Sequence, residues 1–252
     1  MGRVIAIANQ KGGVGKTTTA VNLAACMAAA EKSTLLIDLD PQGNATQGLG
    51  IDKNEIEASV YDFLVNKTPA SEIMCETEWE NLYIMPANRE LVGAEVELVD
   101  VEGREFRLQQ QLAELRDEFD YIFIDCPPSL SILTLNGLVA ADGILVTLQC
   151  EYYALEGLSE LLQTVILVRD NLNPGLSVFG VLLTMYQHTN LCKQVIDDVR
   201  GHLGTSVFDT IIPRNVTLSE APSFGKPVIY YDLKCAGSQG YLSLAREVIA
   251  RG

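Results

Sequence analysis

A glycine-rich segment near the start of the chain carries lysines and threonines in a spacing suited to holding phosphate groups. The segment reads KGGVGKTT and covers residues 11–18. Glycines let backbone N–H groups approach phosphate oxygens closely, and a helix that begins here adds the partial positive charge of its N-terminus. In loops of this kind a lysine reaches the outer phosphates and the next hydroxyl ligates Mg²⁺. We therefore predict that Lys16 binds the β- and γ-phosphates of a nucleotide and that Thr17 is a ligand of Mg²⁺.

Carboxylates end two hydrophobic runs later in the chain. Asp38 and Asp40 stand two residues apart in IDLDPQGN at 37–44, and Asp125 ends YIFID at 121–125. Side chains two residues apart on a strand point the same way, and the carboxyl ends of parallel strands meet at one edge, where ligands bind. An acid at the end of a buried strand is typical of a Walker B element, which holds Mg²⁺ directly or through water. For Asp38 and Asp40 the alternative is an Asp-Pro turn with a helix cap.

These motifs need strands that end beside them, and the hydrophobic pattern predicts such strands. Continuous runs of Ile, Leu and Val are expected when both faces of a sheet are buried. Predicted strands cover residues 4–9, 34–39, 82–86, 121–125, 143–148, 177–183 and 207–212. Helical periodicity covers residues 16–30, 106–117, 154–171, 191–203 and 237–250. The alternation predicts an α/β fold, a single domain over residues 1–252 with a mainly parallel, twisted sheet and helices on both faces.

Composition and charge limit the class of protein further. Of the 252 residues 48% are hydrophobic and 20% are charged, which is a globular balance. The net charge is −15, but residues 1–184 hold 11 basic and 27 acidic residues whereas residues 185–252 hold 7 and 6. The acidity argues against indiscriminate nucleic-acid binding, and the asymmetry leaves room for a local basic face. Residues 51–118, with 17 acidic and 6 basic residues, are expected to form an acidic insertion of short helices and a hairpin-like turn.

Neither the hydrophobic runs nor the cysteines indicate a membrane or a disulfide-bonded protein. No run reaches the roughly 18 apolar residues of a membrane span, and the N-terminus lacks signal-peptide architecture, so we expect a cytoplasmic protein. Six cysteines are scattered without a CxxC pair, and we expect them to be small buried hydrophobic residues. Cys126, next to Asp125, has the alternative of a cluster shared across a dimer, although no second ligand is evident.

The glycine-rich loop departs from the common pattern G-x-x-x-x-G-K-[ST] at its first position. Gln10 stands where that glycine belongs, and Lys11 follows. A lysine here marks the deviant Walker A group of ATPases, which includes ParA/Soj, MinD, nitrogenase iron protein and the arsenical-pump ATPase. The chain resembles the ParA/Soj partitioning ATPases over essentially its whole length. Further segments that carry the resemblance are NATQGLG at 44–50, EYYALEG at 151–157 and SEAPSFGK at 219–226.

The resemblance implies an enzyme that hydrolyses ATP to ADP with Mg²⁺. Asp40 would orient or deprotonate the attacking water, a task that needs positioning more than strong basicity. Lys11 would cross a dimer interface to the partner's nucleotide, as an arginine finger does in trans. The implied catalytic residues are Asp40, Lys11 and Lys16, and the implied Mg²⁺ ligands are Thr17, Asp38 and Asp125. The loop residues implied to bind the nucleotide are Lys11, Gly12, Gly13, Val14, Gly15, Lys16, Thr17 and Thr18.

A late segment, IIPRNV at 211–216, also follows a predicted strand. In the ParA/Soj family the matching segment lines the adenine site, which implies backbone contacts at Pro213 and an amide contact from Asn215. An amide side chain has both a donor and an acceptor, which suits a purine edge. A Pro-Asn turn without a ligand is the alternative.

The biology implied by the resemblance is chromosome or plasmid partitioning. ATP would join two subunits into a homodimer that binds DNA without sequence preference, and a ParB-type partner would stimulate hydrolysis and release it. Relatives place arginines where this chain has YQHTN at 186–190 and VTL at 216–218, and fewer cations predict weaker, more salt-sensitive DNA binding. The remaining candidates for a DNA-contacting face are Arg214, Lys226, Lys234 and Arg246, with Lys193 and Arg200.

Two other functions are consistent with the same loop. A MinD-like ATPase that cycles on membranes needs a basic amphipathic C-terminal helix. The tail 241–252 has two cations and a glutamate, so we expect its apolar stripe to pack on the sheet and we expect no membrane partner. The second alternative is a ParA-like scaffold that positions a protein cargo. If DNA binding holds, the protein is expected to associate with the nucleoid.

Overall fold

Eight strands form one sheet in the computed structural model, which describes residues 2–151 and 154–251. In chain order the strands are β1 (Arg3–Ala8), β2 (Thr34–Asp38), β3 (Cys75–Glu76), β4 (Leu82–Met85), β5 (Tyr121–Asp125), β6 (Gly143–Gln149), β7 (Ser177–Tyr186) and β8 (Val207–Pro213). Their order across the sheet is β3-β4-β2-β5-β1-β6-β7-β8. Neighbouring strands are parallel except β3 and β4, which pair antiparallel at one edge.

Helices connect these strands, and most of the connections cross from one strand to a parallel one. They are α1 (Lys16–Ala29), α2 (Asn44–Gly48), α3 (Ala70–Ile73), α4 (Leu91–Glu97), α5 (Arg107–Leu112), α6 (Ile132–Ala140), α7 (Ala154–Asn171), α8 (Asn190–Leu203), α9 (Thr217–Glu220), α10 (Val228–Tyr231) and α11 (Ala236–Arg251). Within residues 51–118 the helices are short and β3 and β4 form a hairpin, while β4 also pairs with β2.

Both faces of the sheet are buried, as the run of apolar residues in β1 illustrates. Val4, Ala6 and Ala8 contribute to the core on one face, which also contains residues of α6, α7 and α8. Ile5 and Ile7 contribute to the core on the other face, together with residues of α1 and α11. This is the period-two alternation of a strand. The predicted fold class, a mainly parallel α/β sheet with helices on both faces, is confirmed.

The C-terminal helix α11 is bound firmly to the second face. Its residues Tyr241, Leu244 and Val248 are at most 1% exposed, as predicted for the apolar stripe of the tail. Arg251 donates hydrogen bonds to the carbonyls of Val207 and Phe179 at 3.1 and 3.3 Å. Among the residues that the structure describes, no helix is long and apolar enough to span a membrane.

The short helices α2, α9 and α10 were not predicted, and three longer elements also differ from the sequence prediction. Helix α6 was not predicted, because its segment ILTLNGLVA is apolar on nearly all sides and lacks an amphipathic period. The helix predicted over 106–117 ends as α5 at Leu112. Beyond this point the amides of Leu115 and Glu118 donate to carbonyls three residues earlier, and the Arg116 carbonyl accepts the Gly2 amide at 2.5 Å. Strand β7 continues to Tyr186, three residues beyond its predicted end, because it pairs with β8 as far as Pro213.

Strand register brings the predicted acids together at the carboxyl edge of the sheet. Asp125 at the end of β5 lies beside Asp38 at the end of β2 and beside Ile7 near the end of β1. The phosphate loop leaves β1 at the same edge. Residues that are 87 positions apart in the chain, Asp38 and Asp125, therefore face one crevice.

Candidate active site

The loop between β1 and α1 is held open by its backbone conformation and by two polar anchors. Gly13 and Gly15 have φ of 75° and 87°, a region in which side chains other than glycine are strained. A Cβ at Gly12 or Gly13 would meet no atom within 4 Å, so this stretch borders open space. Asn9 donates to the Thr147 carbonyl at 2.7 Å and accepts from the Lys11 amide at 2.9 Å. The loop is thus a fixed, open cradle of backbone N–H groups.

Lys16 points into this cradle from the first turn of α1. Its residue is 6% exposed, and its Nζ donates to the Lys11 carbonyl at 3.0 Å. Burial lowers the pKa of Lys16, and the nearby carboxylates of Asp125 and Asp40 counteract that change. A desolvated amine with a single neutral acceptor is suited to binding an anion such as a phosphate.

The side chain of Asp125 is fully buried at the end of β5. Neither of its carboxylate oxygens has a hydrogen-bond partner among the described residues. Burial raises the pKa of Asp125 well above its ordinary value, and the Asp38 carboxylate adds to this rise. The Thr17 hydroxyl offsets part of it without completing a hydrogen bond of ordinary geometry. Because an unpaired buried carboxylate is costly, Asp125 and Thr17 fit a bound cation.

The cation that fits this site is one that shares its ligands with a phosphate. Within residues 2–151 and 154–251 no group of three or more His, Cys, Asp or Glu side chains forms a self-contained metal site. Mg²⁺ commonly uses one or two carboxylates together with substrate phosphates and water. A hydroxyl and a carboxylate beside a phosphate cradle match that pattern.

Asp38 differs from Asp125, although the two lie side by side. Its Oδ2 accepts hydrogen bonds from the amide and hydroxyl of Thr46, both at 2.8 Å, and its Oδ1 accepts from the Asp40 amide at 3.1 Å. Burial raises the pKa of Asp38 to about 6, and the Thr46 donors oppose the rise. By accepting these hydrogen bonds Asp38 fixes the loop after β2. The role of Asp38 at Mg²⁺ stays a prediction.

Asp40 lies on the same loop and faces the cradle. It is 9% exposed, and its Oδ1 accepts a hydrogen bond from the Gln42 amide at 2.9 Å. One carboxylate oxygen thus fixes the turn while the other has no hydrogen-bond partner within the described part of the chain. The structure brings Asp40 within electrostatic reach of Lys16 and Asp125.

Lys11 points away from the cradle that its own backbone helps to form. Its Nζ makes a salt bridge with the carboxylate of Glu151, and the two side chains are 56% and 46% exposed. Glu151 follows β6, the neighbour of β1 in the sheet. Lys11 and Lys16 therefore belong to one loop but have opposite environments. Tyr152 and Tyr153 of the EYYALEG segment lie outside the described residues.

The segment after β8 borders a cavity of about 160 Å³ beside the phosphate loop. Its lining includes Gly15 and Thr18 of the loop together with Pro213 and Asn215. The buried side-chain oxygen of Asn215 has no hydrogen-bond partner among the described residues. An acceptor of this kind suits the exocyclic amine of an adenine. The structure thus brings the predicted adenine residues next to the predicted phosphate residues.

The four cations predicted to contact DNA are exposed but do not form one compact cluster. Arg214 lines the same cavity as Asn215, and Lys226 lines a second cavity of about 350 Å³ with Thr17 and Thr18. Lys234 precedes α11 and Arg246 lies in its third turn, about 15 Å along the helix axis from its start. None of the four forms an ion pair with another described residue.

The cysteines take no part in this site. All six are free, and four of them are buried: Cys26, Cys126, Cys150 and Cys192. Cys75 and Cys235 are half-buried. Burial raises the pKa of Cys126, and Asp125 adds to the rise, so its thiol is protonated at neutral pH. The prediction of small buried hydrophobic residues holds for the first four.

Sequence reasoning missed several residues that shape the site. Asn9 anchors the loop, Thr46 holds Asp38, and the Thr184 hydroxyl donates to the Val14 carbonyl at 2.9 Å. Glu151 belongs to the family segment EYYALEG, but the sequence does not indicate that it pairs with Lys11. Asn9 and Thr184 share a signal that the sequence does show, a polar residue at the carboxyl end of a hydrophobic strand.

An inner and an entrance lysine on one glycine-rich loop, at the carboxyl edge of a parallel sheet, define a P-loop ATPase with a deviant Walker A loop. The model of the AAA domain family matches residues 2–178. Chromosome partitioning protein ParA of Myxococcus xanthus is 56% identical over 252 residues, which cover 100% of this chain and 89% of that protein. The chain belongs to the ParA/Soj family of chromosome-partitioning ATPases.

Two further comparisons agree with this assignment. Sporulation initiation inhibitor protein Soj of Bacillus subtilis is 55% identical over 253 residues, which cover 100% of both chains. The solved structure of cobyrinic acid a,c-diamide synthase from Mycobacterium smegmatis, with bound ADP and magnesium, superposes with a TM-score of 0.87 at 38% identity. It covers 99% of this chain and 94% of that one.

Proposed function

We propose that this ATPase partitions a chromosome or plasmid by forming an ATP-bound homodimer that binds DNA and is reset by hydrolysis. The observation that carries the proposal is the contrast between Lys16, buried in the cradle, and Lys11, exposed at its entrance. The burial of Lys16 supports a role at the nucleotide of its own subunit. The exposure of Lys11 supports a role at a second subunit.

This chain is an ATPase, and its own residues suggest how it binds Mg-ATP. Backbone N–H groups of residues 12–15 and the Lys16 amine would bind the phosphates, while Pro213 and Asn215 would contact the base. Thr17 and Asp125 would hold Mg²⁺, and Asp38, which keeps the loop after β2 in place through Thr46, would lie near the ion. Bound Mg²⁺ supplies charge neutralisation at the phosphate oxygens.

Asp40 is the residue that we assign to the attacking water. One of its carboxylate oxygens is fixed by the Gln42 amide at 2.9 Å, and the other would accept a hydrogen bond from the attacking water. Phosphoryl transfer depends mainly on positioning and electrostatic stabilisation. A carboxylate held in a rigid turn provides the positioning.

The partner subunit's Lys11 supplies the electrostatic stabilisation. A positive charge that arrives only on dimerisation makes hydrolysis depend on the assembled state, as an arginine finger does. A ParB-type partner that stimulates hydrolysis would act on this ATP-bound dimer. Dissociation after hydrolysis then frees the two subunits for another cycle.

The membrane-cycling alternative has less support from the structure. Such a mechanism needs the apolar face of the C-terminal helix to be available for lipid. In this chain Tyr241, Leu244 and Val248 pack in the core against the sheet. The polar end of α11 is also occupied, since Glu247 accepts a hydrogen bond from the Asp209 amide at 2.7 Å.

The proposed DNA binding is tested by salt-titrated retention of the protein on non-specific duplex DNA. We expect retention with ATP, and little with ADP or without nucleotide, because two weakly basic faces joined in a dimer bind with avidity. Since Arg214 lines the nucleotide cavity, the cleaner variant is Lys234→Ala with Arg246→Ala. Each lost phosphate contact should reduce the slope of log affinity against log salt by about 1.

The control is Arg89→Ala, which removes one exposed cation from the acidic stretch 51–118. Its salt slope should equal that of the wild type. If the wild type shows no ATP-dependent retention at low salt, the chain lacks this step of the cycle. If the double variant binds as the wild type does, the DNA-contacting face lies elsewhere.

A further inference from the structure

The salt bridge between Lys11 and Glu151 joins two segments that are 140 residues apart in the chain. Through this salt bridge the phosphate loop is paired with the segment that follows β6. Both side chains are about half exposed, so the pair lies at the entrance of the crevice and not within it. Glu151 is not among the residues that line the two cavities beside the phosphate loop, so its position beside Lys11 is a feature to be explained.

Backbone hydrogen bonds restrain the main chain of Glu151 just after β6. Its amide donates to the Gln149 carbonyl at 2.8 Å, and its own carbonyl accepts from the Ala154 amide at 3.0 Å. The carboxylate of Glu151 therefore extends from a restrained main chain, and the long side chain of Lys11 reaches it from the phosphate loop.

The main chain of Lys11 is held by the same site that binds nucleotide. Its carbonyl accepts the Lys16 Nζ at 3.0 Å, and its amide donates to Asn9 at 2.9 Å. When phosphates recruit the Lys16 amine, the Lys11 carbonyl loses that donor. Nucleotide binding thus removes one restraint on Lys11 and leaves the Glu151 salt bridge as the restraint on its side chain.

We propose that Glu151 is a positioning residue that keeps Lys11 within its own subunit until dimerisation offers the lysine a partner's phosphates. This inference rests on the proposed function, because it takes Lys11 to act across the dimer. The restraint is weak, since exposed ion pairs contribute little stability. It is also the kind of contact that the higher negative charge of a triphosphate displaces.

The experiment compares the wild type with Glu151→Gln in the full chain. The first readout is the rate at which an amine-reactive ester acylates Lys11 without nucleotide, measured by mass spectrometry against Lys67 as internal reference. The second is the dimer dissociation constant in a non-hydrolysable ATP analogue with Mg²⁺, measured by sedimentation. For Glu151→Gln we expect Lys11 acylation to be about two- to five-fold faster and dimerisation about two- to five-fold tighter, the size of an exposed pair.

The matched control is Glu156→Gln, which removes the same charge from the exposed first turn of α7 and should change neither readout. Raising the ionic strength should reduce the difference between Glu151→Gln and the wild type, because salt screens exposed charges. An unchanged acylation rate would show that the pair does not hold Lys11. Faster acylation with unchanged or weaker dimerisation would show that holding Lys11 does not oppose assembly, and the proposal would then be wrong while the proposed dimer stood. A wild type that stays monomeric in the analogue would instead remove the proposed function, and this inference with it.

Discussion

Lys16 and Lys11 lie five residues apart in one loop, yet one side chain is buried and the other is exposed. Lys16 is buried beside Asp125 and Asp40, and burial lowers its pKa. Lys11 is half exposed and pairs with a carboxylate from another segment of the chain. The inner lysine is therefore fixed within the fold of one subunit, whereas the outer lysine is held by one exposed ion pair, a contact that contributes little stability.

The two neighbouring acids show the same division of roles. The carboxylate of Asp38 accepts three hydrogen bonds, two from Thr46 and one from the Asp40 amide, while the carboxylate oxygens of Asp125 have no partner among the described residues. Equal burial thus does not imply an equal role. A group whose hydrogen-bonding capacity is filled by the protein supports structure, and a buried group left unfilled indicates where a ligand binds.

The largest effect expected from this comparison is that of Lys16→Ala. Removal of the buried amine should reduce ATP affinity by about 100-fold or more, because charge-assisted hydrogen bonds are worth about 1.5–3 kcal/mol each. Dimerisation and hydrolysis should be lost with it. Calorimetric titration with ATP measures the change, and Lys11→Ala, which alters the outer lysine of the same loop, is the control that should still bind. Equal losses in the two variants would erase the distinction between inner and outer lysine.

Asp40→Ala should affect fewer steps than Lys16→Ala, because it slows hydrolysis and leaves nucleotide binding intact. Loss of the group that positions water should lower the hydrolysis rate by roughly 10²–10⁴, while Lys16, Thr17 and Asp125 still bind Mg-ATP. The variant should accumulate as an ATP-bound dimer that survives gel filtration. Phosphate release and size are measured on the same samples.

Asp40→Asn serves as the matched variant for that prediction. Its amide oxygen is able to accept the hydrogen bond from Gln42 that Asp40 accepts at 2.9 Å, so the turn is kept and only the charge is lost. We expect the same slow hydrolysis as for Asp40→Ala. Normal hydrolysis in either variant would assign the water to another group, and a persistent monomer would challenge the dimer itself.

Sequence reasoning recovered the inner region of the site better than the outer one. Local patterns define the inner region, since the glycine-rich loop and the acids after β2 and β5 each follow a hydrophobic run, and both ends of β5 were predicted as found. The bonds that distinguish Asp38 from Asp125 come from Thr46 and were not visible in the pattern. The Lys11–Glu151 pair depends on β1 and β6 being neighbours, which is a property of strand order.

The smallest of the three effects, and the most direct test of the central claim, is the assembly state of Lys11→Ala. Light scattering in a non-hydrolysable ATP analogue with Mg²⁺ should give the wild type twice the 27.5 kDa mass of one chain. Removing one partner of a buried intersubunit charge contact costs at least about 2 kcal/mol, so Lys11→Ala should dimerise about 30-fold more weakly and remain near the monomer mass while still binding nucleotide. An undiminished dimer of Lys11→Ala would show that the outer lysine acts within its own subunit, and would contradict the account.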